Sequence, residues 1–261
     1  LLVKTVNLLY QFWVHTRLMS RIQGVSWLFN MPTHHRVHHA INPKYIDKNY
    51  AGMFIIWDRL FGTFVEEEDE PVYGTVLPLE SWSPLWANLY YWWGIARLSR
   101  QSGALRDRLR AWIAPPEWRP AELGGDALIP EVSRHEQKRY DTRASFGLDL
   151  YVALQFSAGI PVVMWVLLSY SSLEGSLLAL LALGYFMGLE AWGALFEGRR
   201  WGLWIEWVRH GLVALSIFLI APQVSESPLA LGALALATLI QCAWVYRYVG
   251  EVSLEFATDE P

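Results

Sequence analysis

Four long apolar segments fill the second half of the sequence and constrain its fold more than any other feature. They cover residues 146–170, 177–196, 203–220 and 229–249. Each approaches the length of roughly 20 residues that an α-helix needs to cross a bilayer. Backbone polar groups in lipid must be paired within the protein, and a single segment achieves this only as a helix. The sequence therefore predicts an all-α integral membrane protein with about four transmembrane helices.

The third segment is the least apolar of the four, because Glu206, Arg209 and His210 lie in its first half. Ionisable side chains in a membrane helix are costly unless they face a bundle interior or lie near the interface. We expect these three side chains to occupy one of those positions. Cys242 lies in the fourth segment and is the only cysteine, which excludes an intrachain disulfide and favours a packing role.

Basic residues are distributed unevenly, since 17 of the 21 Lys and Arg precede residue 144. Among the short connections between the apolar segments, the middle one contains Arg199 and Arg200, and the other two contain no Lys or Arg. Cytoplasmic loops collect basic residues. The pattern predicts a cytoplasmic-face, histidine-rich helical region over 1–143 and a transmembrane region over 144–261. The net charge of −4 argues against a nucleic-acid partner.

Residues 1–143 are expected to be largely helical. The stretch from Leu1 to Met19 is compatible with a helix, and the acidic run from Glu66 to Glu70 is typical of a solvated loop. The stretch from Trp82 to Trp112 combines many aromatic residues with basic residues from Arg97 onward. That composition fits a helix at the level of the lipid headgroups. It fits an amphipathic core helix equally well.

Four of the seven histidines lie within six positions, at His34, His35, His38 and His39. A helix turns by about 100° per residue, which places all four on one side. Residues three and four apart on a helix are close enough to share a metal ion. Imidazole nitrogen suits Fe, Zn, Cu or Ni. Upstream, Gln11 and His15 form another pair four residues apart. The alternative is an exposed cluster that binds anionic lipid headgroups.

Other histidines and other chemistries find less support in the sequence. His135 lies in a hydrophilic stretch typical of a surface residue, whereas His210 is a candidate for a polar role within the membrane. Asp47 and Asp58 are candidate acceptors for the second nitrogens of metal-bound imidazoles. The motifs G-x-S-x-G, the P-loop, G-x-G-x-x-G and H-E-x-x-H are all absent from the sequence. A metalloprotease in particular is disfavoured.

The phrases QFWVHT and PTHHRVHHAINPKYIDKNYAGMFIIWDRLFGTF resemble the fatty acid hydroxylase and sterol desaturase superfamily, most closely its alkylglycerol monooxygenase-like branch. The segments LWANLYYWW, PPEWRP, YDTRASFGLDLYVALQF and LFEGRRW extend the resemblance over most of the chain. The resemblance implies that His15, His35, His38 and His39 are metal ligands, with no catalytic residue beyond them. Gln11 occupies a position that is His or Gln in the family, and His34 has no assigned role. The segment 57–63 is expected to be structural or to support the ligands.

This resemblance implies a membrane di-iron oxygenase that hydroxylates a lipid C–H bond with O2. The expected substrate is an ether lipid, with electrons from an external donor and tetrahydropterin as a possible reductant. No residue of this sequence is assigned to pterin binding. The alternatives are a sterol or fatty acid hydroxylase or desaturase, and a non-redox membrane protein that binds zinc or headgroups. Two further histidine boxes of the superfamily are absent from these residues. We therefore expect a portion of the protein to precede Leu1 and to supply them, and the alternative is that this polypeptide is inactive alone.

Overall fold

A computed structural model describes residues 2–20, 22–135, 138–221, 224, 226–248 and 253–258. The described part is mostly helical with almost no strand, although the α-helices before residue 143 cover less than half of that region, and four later helices are long and apolar enough to cross a membrane. The prediction of an all-α integral membrane protein is thereby confirmed. The α-helices are α1 (Leu2–Val14), α2 (Val25–Leu28), α3 (Pro32–His38), α4 (Ile56–Phe61), α5 (Pro84–Gln101), α6 (Leu105–Arg110), α7 (Phe146–Ser169), α8 (Gly175–Phe196), α9 (Trp201–Ile220) and α10 (Pro228–Tyr248). Short 3₁₀ helices cover Pro43–Tyr45, Ala121–Leu123 and Tyr170–Ser172.

The chain divides into two compact units, which are described separately. The histidine unit comprises residues 1–79, 99–137 and 258–261, and the helical unit comprises residues 80–98 and 138–257. The helical unit contains α7 to α10 and a two-stranded sheet of β1 (Lys138–Arg143) and β2 (Ser253–Thr258). The division expected at residue 143 concerns sides of the membrane, and it stays a prediction.

Small residues let α8 and α9 pack closely in the helical unit. A Cβ atom on Gly202 would lie 2.9 Å from the carbonyl oxygen of Ala191, so only glycine permits this approach. Small residues at a helix contact are the usual solution in membrane proteins, where helix association depends on close packing. The core around this contact comprises Leu148, Tyr151, Ala191, Trp192, Leu195, Leu203 and Val245.

The ionisable residues of α9 are buried inside the helical unit, the first of the two expected positions. Both carboxylate oxygens of Glu206 accept hydrogen bonds from the Arg209 guanidinium, at 2.6 and 2.8 Å. Glu206 Oε1 also accepts from Tyr151 of α7 at 2.5 Å and from Trp192 of α8 at 3.2 Å. The Tyr151 hydroxyl lies 3.0 Å from His210 Nε2, which gives His210 the polar environment that the sequence indicated.

Two glutamines extend this buried network to α10. Arg209 donates to Gln155 Oε1 at 3.0 Å, and Gln155 donates in turn to Gln241 Oε1 at 3.0 Å. All four spanning helices therefore contribute to one set of hydrogen bonds. Sequence reasoning missed Gln155 and Gln241, although amides within otherwise apolar spans are a usable signal for such networks.

Candidate metal centre

Helix α3 places two of the clustered histidines on one face. It begins with Pro32 at its first position, where the missing N–H costs nothing. The helix ends at His38, with His39 as its C-cap. His35 and His39 are four residues apart, and their rings are in edge contact at 4.6 Å between centroids. His34 instead points inward, where its Nδ1 accepts the Met31 N–H at 3.3 Å and its ring contacts Phe64.

A buried asparagine holds α3 against the segment that follows α4. The Asn49 side chain is fully buried and donates to the carbonyl oxygens of His34 at 3.1 Å and Val65 at 2.8 Å. Its own oxygen accepts the Val65 N–H at 2.9 Å. The backbone of Asn49 has φ of 52°, a left-handed conformation that asparagine tolerates better than most residues. Sequence reasoning missed Asn49, because no local pattern marks it.

The segment 57–63 is structural, one of the two roles expected for it. Asp58 is buried and accepts the N–H groups of Tyr50 at 2.8 Å and Ala51 at 2.9 Å. It also accepts the Thr63 hydroxyl at 2.6 Å. Asp47 accepts the Tyr50 hydroxyl at 2.9 Å. Both aspartates therefore organise the loop after α3, and the acceptors found at the imidazoles are backbone carbonyls instead.

An ion pair fixes the other side of α3. Arg36 donates to both carboxylate oxygens of Glu67, at 2.5 and 2.8 Å, and to the carbonyl oxygen of Met19 at 3.2 Å. Glu67 belongs to the acidic run, so this part of the expected solvated loop is half-buried against α3. The Met19 contact connects α3 with the stretch that follows α1, and His15 is the first residue of that stretch.

Three imidazoles converge between α1 and α3. The Nε2 atom of His35 lies 3.0 Å from Nε2 of His15 and 3.0 Å from Nε2 of His39. One ring nitrogen from each residue falls within 4.8 Å of the other two. His35 is buried, whereas His15 and His39 are exposed. The structure therefore brings together three of the four predicted ligands.

A hydrogen bond fixes the tautomer of His15, and burial favours the uncharged forms of His35 and His39. His15 Nδ1 lies 2.5 Å from the carbonyl oxygen of Gln11 and must donate to it, so its Nε2 is unprotonated in the neutral ring. Burial, with the nearby imidazoles of His39, His15 and His38, lowers the pKa of His35 to about 3. Burial also lowers the pKa of His39, with His38 and His15 contributing. At neutral pH His35 is therefore uncharged and His39 is shifted toward its uncharged form.

The donor set fits a transition metal. A neutral His35 ring has at most one proton on Nε2, which cannot bridge to His15 and His39 at once. At least one of the two 3.0 Å contacts therefore lacks a hydrogen bond in the neutral rings, and a cation held by the three nitrogens would remove this conflict. Bonds from a transition metal to imidazole nitrogen are about 2.0–2.1 Å long, so nitrogens 3.0 Å apart would be close enough to hold one ion. The buried Nδ1 of His35 has no hydrogen-bond partner among the described residues, so it could still donate to an acceptor if Nε2 bound a metal.

The other sequence-predicted residues lie outside this group. His38 is exposed, with its Nδ1 3.4 Å from the carbonyl oxygen of Lys48 and its ring 5.5 Å from His35 and 5.2 Å from His39. Its role as a ligand stays a prediction. Gln11 contributes its backbone carbonyl, and its side chain lies against Gly52. His135 is exposed, as expected for a surface residue.

Comparisons with known proteins match the same residues. The family model described as fatty acid hydroxylase matches residues 1–63, which include all four predicted ligands. None of the solved structures is similar enough to match the chain.

Several curated relatives match over a longer range. Alkylglycerol monooxygenase from Danio rerio is 37% identical over 214 residues, which cover 80% of this chain and 47% of that protein. The Xenopus tropicalis protein of the same name is 34% identical, covering 78% of this chain and 46% of its own length. The Homo sapiens protein is 36% identical over 58% of this chain and 34% of its own length. The chain spans about half the length of the first two relatives. It belongs to the fatty acid hydroxylase superfamily, in the branch of the alkylglycerol monooxygenases.

Proposed function

We propose that this chain supplies three nitrogen ligands to the iron centre of a membrane-bound lipid monooxygenase. The observation that carries the proposal is the convergence of the Nε2 atoms of His15, His35 and His39. Two hydrogen bonds hold this geometry. The Gln11 carbonyl on α1 accepts from His15, and the Asn49 side chain donates to the His34 carbonyl on α3. Membership of the fatty acid hydroxylase superfamily and four spanning helices support a lipid as substrate.

An unactivated C–H bond is too strong for acid–base side chains alone. Iron, when bound, supplies the O2 activation that such a bond requires. The chain's own contribution is positional and electrostatic. It keeps His35 neutral by burial and fixes the His15 tautomer through Gln11, so that each offers a lone pair.

The substrate proposed is an ether lipid, in line with the names of the curated relatives. A monooxygenase places one atom of O2 in the product and reduces the other to water, which takes two electrons and two protons. Hydroxylation at the carbon next to the ether oxygen yields a hemiacetal, which breaks down to an aldehyde and glycerol. The electrons come from an external donor, for which we propose a tetrahydropterin. A sterol or fatty acid substrate is the alternative within the same superfamily.

We extend the proposal to a di-iron centre, with His38 as a ligand of the second ion. His38 lies beside the three converging imidazoles, on the exposed part of α3. Its ring is close enough to His35 and His39 to supply one ligand to a second ion beside the first.

The proposed site faces the cytoplasm. The connection between α8 and α9 contains Arg199 and Arg200, which favours a cytoplasmic position for that connection. Two spanning helices, α7 and α8, separate it from the residues before α7, so the chain would return to the same side after both crossings. Single cysteines at Ser172 and Arg200 in a Cys242→Ala background test this orientation. In intact cells, a membrane-impermeant maleimide should label Ser172→Cys, and it should label Arg200→Cys only after permeabilisation. The reverse pattern would place the histidines outside.

The activity itself is tested in membranes that contain the protein. Membranes are incubated with an alkylglycerol, ¹⁸O₂ and a tetrahydropterin, and the aldehyde is reduced at once with borohydride and analysed by mass spectrometry. The proposal expects ¹⁸O in the resulting alcohol and iron in the purified protein. Purified protein that holds only zinc, with unchanged lipids, would favour the non-redox alternative. Turnover of a sterol or fatty acid alone would support the same centre with another substrate.

A further inference from the structure

Helix α5, most of which belongs to the helical unit, is exposed along one side and half-buried at Ile95 and Leu98 on the other. None of its 18 residues, all of which the structure describes, is buried. Five of its large apolar side chains fall within an arc of about 120° when plotted at about 100° per residue. They are Leu85, Trp86, Leu89, Trp92 and Trp93, and each is at least 40% exposed.

The first turn of α5 is anchored to α8. The Glu190 carboxylate accepts the Leu85 N–H and, at 2.8 Å, the Ser83 hydroxyl. Glu197 accepts the Trp82 N–H at 2.5 Å and the Ser81 hydroxyl at 2.7 Å. Backbone contact reinforces the anchor, since a Cβ atom on Gly193 would lie 2.6 Å from the Trp82 carbonyl oxygen.

This anchor sets the depth at which α5 begins. Glu197 is the C-cap of α8, one of the four helices able to span a membrane. The C-terminal end of such a helix lies where the hydrocarbon gives way to headgroups. The first turn of α5 is therefore held near the boundary between lipid and water, beside the Arg199 and Arg200 connection.

The residue composition of α5 indicates where the helix lies relative to the bilayer. It has 18 residues but is not among the helices apolar enough to span the membrane. It contains no Asp or Glu, and its two basic residues lie at the C-terminal end, with Arg100 within the angular range of the arc and Arg97 at its edge. A helix with aromatic residues on one face and arginines toward one end matches the interfacial region, where rings prefer the headgroup level and arginines attract anionic lipids.

We propose that α5 lies in the plane of the membrane, with the Leu85 to Trp93 arc buried in the headgroup and acyl boundary of the leaflet at the C-terminal end of α8. The occupant of this exposed face is phospholipid. Interfacial helices of this kind bury their apolar face by about 5–10 Å. Tyr91, on the opposite side of the helix, stays outside the lipid in this arrangement.

Site-directed spin labelling tests this arrangement in the complete protein. The Cys242→Ala background receives one nitroxide at Leu89→Cys, Trp92→Cys or Tyr91→Cys and is reconstituted into phosphatidylcholine and phosphatidylglycerol vesicles. Ile160→Cys, near the middle of α7 and 51% exposed, serves as the hydrocarbon reference, and Leu128→Cys, which is 94% exposed, serves as the aqueous reference. Collision rates with O2 and with a water-soluble nickel complex are compared.

The proposal expects the ratio of O2 to nickel collisions at Leu89 and Trp92 to fall between the two references. The label at Tyr91 should behave like the one at Leu128. Aqueous values at Leu89 and Trp92 would overturn the proposal, because the arc would then face water. Low collision rates with both reagents would also overturn it, since a protein surface would then cover the arc.

Discussion

The Nε2 atom of His35 lies 3.0 Å from the Nε2 atom of His15, although 20 residues separate the two histidines in the chain. The contact joins α1 to α3, and His39 completes it from the end of α3. One hydrogen bond on each side helps to hold these nitrogens together. On α1 the contact is the Gln11 carbonyl, and behind α3 it is the Asn49 amide.

His35→Ala should remove the central nitrogen of the group. We expect the iron content of the purified protein to fall by at least about tenfold, because even supporting residues of metal sites change affinity by that factor. Elemental analysis measures the effect, and His135→Ala is the exposed control, expected to retain both iron and activity. Unchanged iron in His35→Ala would contradict the assignment of the centre.

His38→Ala tests the ligand that the structure leaves beside the group. We expect loss of lipid hydroxylation with membrane insertion intact, because His38 is exposed and supports no core contact in the histidine unit. Product formation and the membrane fraction of the protein are measured together. Wild-type turnover in His38→Ala would remove His38 from the centre and leave His15, His35 and His39.

Asn49→Ala should weaken both the fold and the centre. It leaves the buried carbonyl oxygen of His34 and the part-buried one of Val65 without this donor, and we expect a loss of about 1–3 kcal/mol in the free energy of unfolding. Asn49→Gly loses the same bonds but relaxes the φ of 52°, so it should be the milder variant.

Denaturant titration in micelles measures the Asn49 variants. Asn88→Ala is the matched control, since Asn88 is exposed and donates to a single carbonyl, and it should stay within about 0.5 kcal/mol of wild type. If Asn49→Ala were as stable as Asn88→Ala, Asn49 would not position α3.

Arg209→Met should destabilise the helical unit by about 3–5 kcal/mol, because it leaves the Glu206 carboxylate buried without its ion partner. Replacing both residues with Met removes both charges, so the double variant should be more stable than Arg209→Met. Unfolding in micelles is compared with that of Arg247→Met, an exposed control. Glu206→Met completes the comparison. If the loss of unfolding free energy in the double variant equalled the sum of the losses in Arg209→Met and Glu206→Met, the two charges would not be coupled.

Much of the fold follows from the sequence, because the information lies in local runs of residues. Twenty-odd apolar residues in succession predict a spanning helix wherever they pack, and the predicted 146–170 corresponds closely to α7 (Phe146–Ser169). The cluster around His35 was also predicted as a helix, since i,i+3 and i,i+4 spacing is itself a helical property. In contrast, the stretch from Trp82 to Trp112 was expected as one helix, and it forms α5 and α6 with a break between them.

The sequence by itself determined the membrane character of the chain, the identity of the candidate ligands and the family that they indicate. Only the tertiary structure decided that His15, His35 and His39 meet at one point while His38 lies beside them. It likewise decided that Glu206 and Arg209 pair inside the bundle with Tyr151 and Trp192. The reason is physical: residue type and spacing set what one helix presents, whereas a distance between nitrogens on two helices depends on how those helices pack and on the buried hydrogen bonds that hold them.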